Sequence, residues 1–132
     1  MIVLFNKPFN VLSQFTDNKK IIVSRGNLSD YIDIPNVYPA GRLDKDSEGL
    51  LILTDQGKLQ QKISDPKYKM TKTYWVQIEG NIAEDSLNNL RYGVQLKDGM
   101  TRKAIVKRIK QPHNLWLRKP PIRERKNIPD EW

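Results

Sequence analysis

Between Tyr38 and Asp55 the chain reads Tyr-Pro-Ala-Gly-Arg-Leu-Asp-Lys-Asp-Ser-Glu-Gly-Leu-Leu-Ile-Leu-Thr-Asp, which places the carboxylates Asp44, Asp46 and Glu48 among the cations Arg42 and Lys45. A positive neighbour stabilises an ionised carboxylate, so the cations beside Asp44 favour its anionic, nucleophilic form. Gly41 and Gly49 permit tight backbone geometry on either side. Taken alone, such a cluster equally describes a solvated turn. The same residues mimic a calcium loop, with Asp44, Asp46, Glu48, Gly49 and Asp55 at its positions 1, 3, 5, 6 and 12. That reading fails on two counts. The last position normally takes the longer, bidentate Glu, and both flanks should be helices, whereas Leu50-Leu51-Ile52-Leu53 has the pattern of a buried strand. No metal is therefore expected.

A charged loop does chemistry only if regular elements hold it, and a strand end flanking a turn is a common place for catalytic side chains. Short strand-like runs occur at Ile2 to Phe5, Val11 to Phe15, Leu50 to Leu53, Thr73 to Ile78 and Ala104 to Ile109. Two helices are predicted among them. Asp55 can cap a short one carrying Leu59 and Ile63 at i, i+4 spacing, with Pro66 soon after. Asn81 followed by Glu84 resembles an N-cap pair, Leu87 and Leu90 supply an apolar stripe, and Gly93 supplies a stop. The expected class is α+β, with a mixed, largely antiparallel sheet and a few short helices. From Pro112 onward the prolines Pro120, Pro121 and Pro129 predict an extended tail.

The 132 residues, 38% of them hydrophobic, suit one domain spanning 1–132. The sequence contains no apolar run near the ~20 residues of a membrane helix. Met1 opens directly into an apolar strand without the basic start of a secretion signal, and the chain has no cysteine, so thiol catalysis, thiolate metal sites and disulfides are excluded and a cytoplasmic location is expected. Residues 1 to 100 hold 13 basic and 12 acidic side chains; residues 101 to 132 hold 10 and 3. A cationic block of that kind fits a polyanion partner, because each phosphate contact releases condensed counterions. Nucleic acid fits better than an acidic membrane, since the prolines prevent a basic amphipathic helix.

The run Ala40-Gly-Arg-Leu-Asp44-Lys-Asp-Ser-Glu-Gly-Leu-Leu-Ile-Leu-Thr54 resembles the central motif of the RsuA-type pseudouridine synthases. Two further motifs stand in the order that family shows, Phe5-Asn6-Lys7-Pro8 and Lys72-Thr73-Tyr74, and the likeness extends through Lys119-Pro-Pro-Ile-Arg-Glu-Arg-Lys-Asn-Ile-Pro129. It implies an enzyme that turns a uridine of large-subunit ribosomal RNA into pseudouridine, needing neither cofactor nor metal. The bond from ribose C1′ to N1 breaks, the uracil turns, and it rejoins through C5. By its place in the motif, Asp44 would be the attacking carboxylate. Arg42 would fill the place of the extruded base. Tyr74 would stack on the uracil and take part in the closing proton removal, although by strand alternation Tyr74, Val76 and Ile78 could equally form core.

Under the same resemblance, Lys72 would contribute charge at the cleft or a phosphate contact, while Lys7 and Pro8 would be structural. Arg118, Lys119, Arg123, Arg125 and Lys126 would contact phosphates, unless Glu124 or Glu131 pairs with some of them. His113 is expected at the surface, and Trp75 and Trp116 are expected to pack. The family continues past the equivalent of Trp132 through a strand and an Arg-rich motif, so the chain is expected to be an incomplete catalytic domain, without an S4-type RNA-binding module and with an uncovered sheet edge prone to self-association. A rival reading is an RNA-binding fragment that has lost turnover.

Overall fold

The computed structural model describes residues 1–16, 26–122 and 126–132. The chain forms two compact units, Met1–Lys72 and Thr73–Trp132. In the first, strands β1 (Ile2–Lys7) and β2 (Tyr38–Pro39) flank β3 (Gly49–Thr54), all antiparallel. The β1–β3 register pairs Val3 with Leu53, Phe5 with Leu51 and Lys7 with Gly49. Directly opposed residues share a face, so these pairs turn together toward Leu28, Ile32 and Val37, which complete a core with Leu51 and Leu53. The opposite face carries Ile2, Leu4 and Leu50, all exposed. The apolar run of β3 is thus buried on alternate residues rather than continuously, with Leu53 at 0% and Leu50 at 63% exposure.

A 3-10 turn at Leu28–Asp30 delivers Leu28 to this core. Its Asn27 cap accepts the Ser29 N–H while Asp30 accepts the Asn27 N–H, so these two backbone donors are satisfied locally. Helix α1 (Gly57–Ser64) follows β3, with Leu59 and Ile63 half-buried. Its cap differs from the sequence expectation. Asp55 instead accepts from the N-terminal ammonium at 2.5 Å, Gln56 takes the cap position, and the Gln56 N–H goes to the Thr54 hydroxyl. An exposed ion pair has outcompeted a local cap.

The second unit contains the short pair β4 (Ile78–Glu79) and β7 (Asp130–Glu131), helix α2 (Glu84–Tyr92), and the hairpin β5 (Gln95–Leu96) and β6 (Gly99–Met100). Gly93 ends α2 as expected, but Ala83 rather than Asn81 caps it. Glu84 therefore stands at the first helical position, where its carboxylate binds Arg91 at 2.6 Å and Arg108 at 2.8 Å. Arg91 also reaches the Val106 carbonyl, and Glu131 accepts the Ile82 N–H. These polar ties hold 104–109 without a ladder. The strands expected at Val11 to Phe15 and Ala104 to Ile109 are absent, and only the end of Thr73 to Ile78 is ladder-bonded; Val11 makes a single parallel bridge with Gly26. Strand-forming composition alone cannot supply the neighbouring strand that a ladder needs.

The class is α+β, as expected. Replacing fully buried Leu53 by Ala should cost about 2–5 kcal/mol in urea unfolding, whereas Leu50→Ala should stay within about 0.5 kcal/mol. Hydrogen bonds from Arg91, joined by Arg108, hold the Glu84 carboxyl below its ordinary value. A depressed carboxylate stabilises the fold above its unfolded value and loses that contribution as pH falls through the folded one. Glu84→Gln should therefore lower Tm at pH 7, and the gap from the parent should shrink as pH drops below ~4.3.

Candidate active site

The loop carrying the acidic cluster spans 40–48, between β2 and β3. Its two glycines adopt left-handed backbone angles, φ +93° at Gly41 and +117° at Gly49, which side-chain-bearing residues rarely tolerate. Ala40 is still tied to the sheet through its N–H to the Ile52 carbonyl at 2.7 Å. Beyond it the chain leaves the ladder, and a tight turn forms in which the Ser47 N–H meets the Asp44 carbonyl at 3.1 Å. Asp favours the first position of such a turn. Asp44 and Arg42 are both exposed.

Beneath the turn lies Lys7, the last residue of β1, with 0% exposure. Its ammonium donates to the carbonyls of Val11 at 2.9 Å, Pro8 at 3.0 Å and Lys45 at 3.4 Å. Three acceptors match the three protons of the charged form. Burial pushes the Lys7 ammonium below its ordinary value, opposed by the nearby carboxylates Glu48, Asp46 and Asp44. Desolvation is thus the larger influence, and the carbonyl cradle with its ring of acids offsets part of it. A buried cation consequently sits under the acidic loop, positioned by a strand end and by the turn after it. Sequence reasoning treated Lys7 as structural and missed this charge; the signal available was a lysine ending an apolar strand run, a position rarely buried unless paired.

Further contacts reach the loop from residues 13 and 14. The Ser13 hydroxyl is bonded to both the N–H and the carbonyl of Leu43, and Arg42 donates to the Gln14 side-chain oxygen at 3.1 Å. Among the described residues, neither Arg42 nor Asp44 forms an ion pair. The expected strand at Val11 to Phe15 is thus replaced by a segment whose side chains, rather than its backbone, grip the loop.

The remaining sequence-predicted residues are distributed over both units. Lys72 closes the first and is exposed. Tyr74 belongs to the second and is 57% exposed, so it is not the core residue that strand alternation allowed. Trp75 and Trp116, expected to pack, are exposed as well: Trp75 lies ahead of the ladder-bonded end of its segment, and the segment bearing Trp116 joins no described strand. His113 is exposed. Arg118 donates to Gln77 at 2.9 Å and lies over the Trp132 ring, its guanidinium carbon 5.5 Å from the centroid. Among the described residues Glu131 pairs with Arg108. Lys119 and Lys126 are exposed, while Arg123, Glu124 and Arg125 lie outside the described residues. An open cavity of about 610 Å³ in this unit is lined by Lys110, His113, Trp116 and Arg118 among others, with no carboxylate among the described residues that line it. Among the described residues no three His, Asp or Glu side chains are grouped to hold a metal ion.

Residues 1–127 match the family model described as RNA pseudouridylate synthase. The chain is 53% identical over 131 residues to a ribosomal large subunit pseudouridine synthase E of Vibrio parahaemolyticus, covering 99% of this chain and 53% of that protein. It is 50% identical to the protein of that name in Xanthomonas axonopodis, covering 100% and 68%. The chain therefore spans between about half and two thirds of the length of these relatives. A crystal structure of a pseudouridylate synthase superposes with a TM-score of 0.60 at 22% identity, over 77% of this chain and 44% of the other, a likeness of fold. The chain belongs to the RNA pseudouridylate synthase family.

Proposed function

We propose that the chain carries the nucleophile of an RNA pseudouridine synthase and that Asp44 is that residue. The observation that carries this reading is the exposed Asp44 carboxylate on a turn fixed from below by a buried ammonium. The carbonyl cradle holds the Lys7 ammonium below the turn and keeps it from swinging up to pair with the acid, so the Asp44 carboxylate stays open for attack. Attack at the ribose, or the glycal route, frees the uracil to turn and rejoin through C5. Large-subunit ribosomal RNA is the proposed substrate, supported by the names of the relatives at 50 to 53% identity.

In this reading both units together make up the catalytic domain, spanning 1–132, which acts in the cytoplasm. Tyr74 stacks on the uracil and assists proton removal, a role favoured by its exposure. Arg42 fills the place vacated by the extruded base, and Lys72, Arg118, Lys119, Arg123, Arg125 and Lys126 contact phosphates. Arg118 supports this least, since its guanidinium is already engaged. The exposed Ile2, Leu4 and Leu50 favour self-association of the chain by itself.

Tritium release from RNA bearing 5-labelled uridine tests the assignment. The chain should release label, Asp44→Asn should abolish release, and RNA affinity should persist within about threefold. Binding without release in the parent chain would leave the RNA-binding fragment as the correct reading. Lys7→Met strands three carbonyls and should cost about 3 kcal/mol or more in urea unfolding, with loss of release. Lys7→Arg should not rescue, because a planar guanidinium cannot serve three acceptors gathered around one nitrogen.

A further inference from the structure

Loop 40–48 has few ways to fix its own shape. After Ala40 leaves the sheet, the internal backbone bond is that of the 44–47 turn, which begins at Asp44 and says nothing about the residues before it. The peptide groups on either side of Leu43 determine where Asp44 stands, and they find their partner thirty residues earlier in the chain. Ser13 is 5% exposed. Its Oγ donates to the Leu43 carbonyl at 2.8 Å and accepts the Leu43 N–H at 3.0 Å, so one hydroxyl satisfies both backbone groups of that residue. A hydroxyl can do this because it is donor and acceptor at once.

Gln14 continues the grip. Its Nε2 donates to the Thr16 carbonyl at 2.5 Å, and a carbonyl can only accept. That fixes which end of the amide faces the other way: Oε1 must point toward Arg42, whose Nη2 donates to it at 3.1 Å. The Arg42 guanidinium is thereby held by a neutral acceptor rather than drawn into an ion pair with the adjacent carboxylate. Backbone bonds in turn anchor the segment that carries both residues: the Leu28 N–H meets the Gln14 carbonyl at 2.9 Å, tying it to the turn that fills the core, and the Leu12 N–H meets the Gly26 carbonyl at 2.9 Å.

We propose that Ser13 and Gln14 are positioning residues for Asp44, Ser13 by locking the Leu43 peptide and Gln14 by holding Arg42 away from the carboxylate. The inference rests on Asp44 being the nucleophile. Neither residue touches the reacting atoms. Ser13 is buried, so its loss should act on turnover and leave RNA affinity alone; a misplacement of about 1 Å at a reacting group is enough to cost roughly 100-fold in rate.

The experiment compares the parent chain with Ser13→Ala, Ser13→Thr, Gln14→Ala and Asp44→Asn, well below the Tm of each. Amide hydrogen exchange by NMR, without RNA, reads the tether directly. Ser13→Ala should speed exchange at Leu43 by at least tenfold while Leu53 in the core is unchanged, and Ser13→Thr, which keeps the hydroxyl, should restore protection. Gln14→Ala should leave Leu43 exchange as it is. In tritium release, Ser13→Ala should lower kcat by about 10- to 100-fold with KM within about threefold, Ser13→Thr should recover most of it, and Gln14→Ala should reduce kcat/KM by about 3- to 10-fold. Unchanged Leu43 exchange in Ser13→Ala overturns the Ser13 tether, and so does an unchanged kcat. Unchanged kcat/KM in Gln14→Ala overturns the part given to Gln14. Release that survives in Asp44→Asn refutes the nucleophile assignment instead, a failure that leaves the exchange result standing by itself.

Discussion

The Lys7 ammonium is the interaction on which the site depends. It lies at the end of β1 with no exposure, and its three protons meet carbonyls from the turn that follows it and from the loop between β2 and β3. A buried cation is costly unless every donor is matched, and here the matching requires two distant stretches of chain to meet. The register that pairs Lys7 with Gly49 sets that meeting, because Gly49 is also where the acidic loop re-enters the sheet. One buried charge thus links the sheet, the turn after β1 and the loop bearing Asp44.

Placing the cation inside and the carboxylates outside separates two tasks. The interior ammonium spends its three protons on carbonyls and so acts on the loop by fixing its backbone. The exposed carboxylate of Asp44 remains accessible to a bulky polyanion. Glycines at 41 and 49 allow the loop to turn out of and back into the sheet, and side-chain bonds from Ser13 replace the ladder bonds that the loop gives up. The shape of the loop is consequently set by a few directional contacts over a conventional apolar core.

The second unit relies on a different balance. Its helix and its irregular segments are joined by Glu84, Arg91, Arg108 and Glu131, which neutralise one another, with Ile82 and Val106 supplying backbone partners. Arg108 and Arg91 are thereby withdrawn from the cationic surface. The excess of positive charge at the C-terminal end falls instead on exposed side chains such as Lys107, Lys110 and Lys119. Net charge in the sequence overstates what is free to meet a polyanion, since it does not distinguish paired from unpaired cations.

Local rules were legible where the information is local. The apolar runs Ile2 to Phe5 and Leu50 to Leu53 fixed two strands, Gly93 fixed a helix end, and the run from Ala40 to Thr54 carried the family by side-chain identity alone. The segments Val11 to Phe15 and Ala104 to Ile109 are rich in strand-forming residues as well and form no ladder, because a strand exists only when a partner lies alongside, and that is a property of the folded chain. Caps failed for a similar reason: Asp55 and Glu84 found charged partners 54 and 7 or 24 residues away, which no nearby spacing announces. The sequence by itself determined which residues could be reactive and which family they belong to. Only the tertiary structure decided that Lys7 is buried beneath the loop and that Ser13 holds Leu43, since both depend on chain segments thirty or more residues apart coming within hydrogen-bond reach.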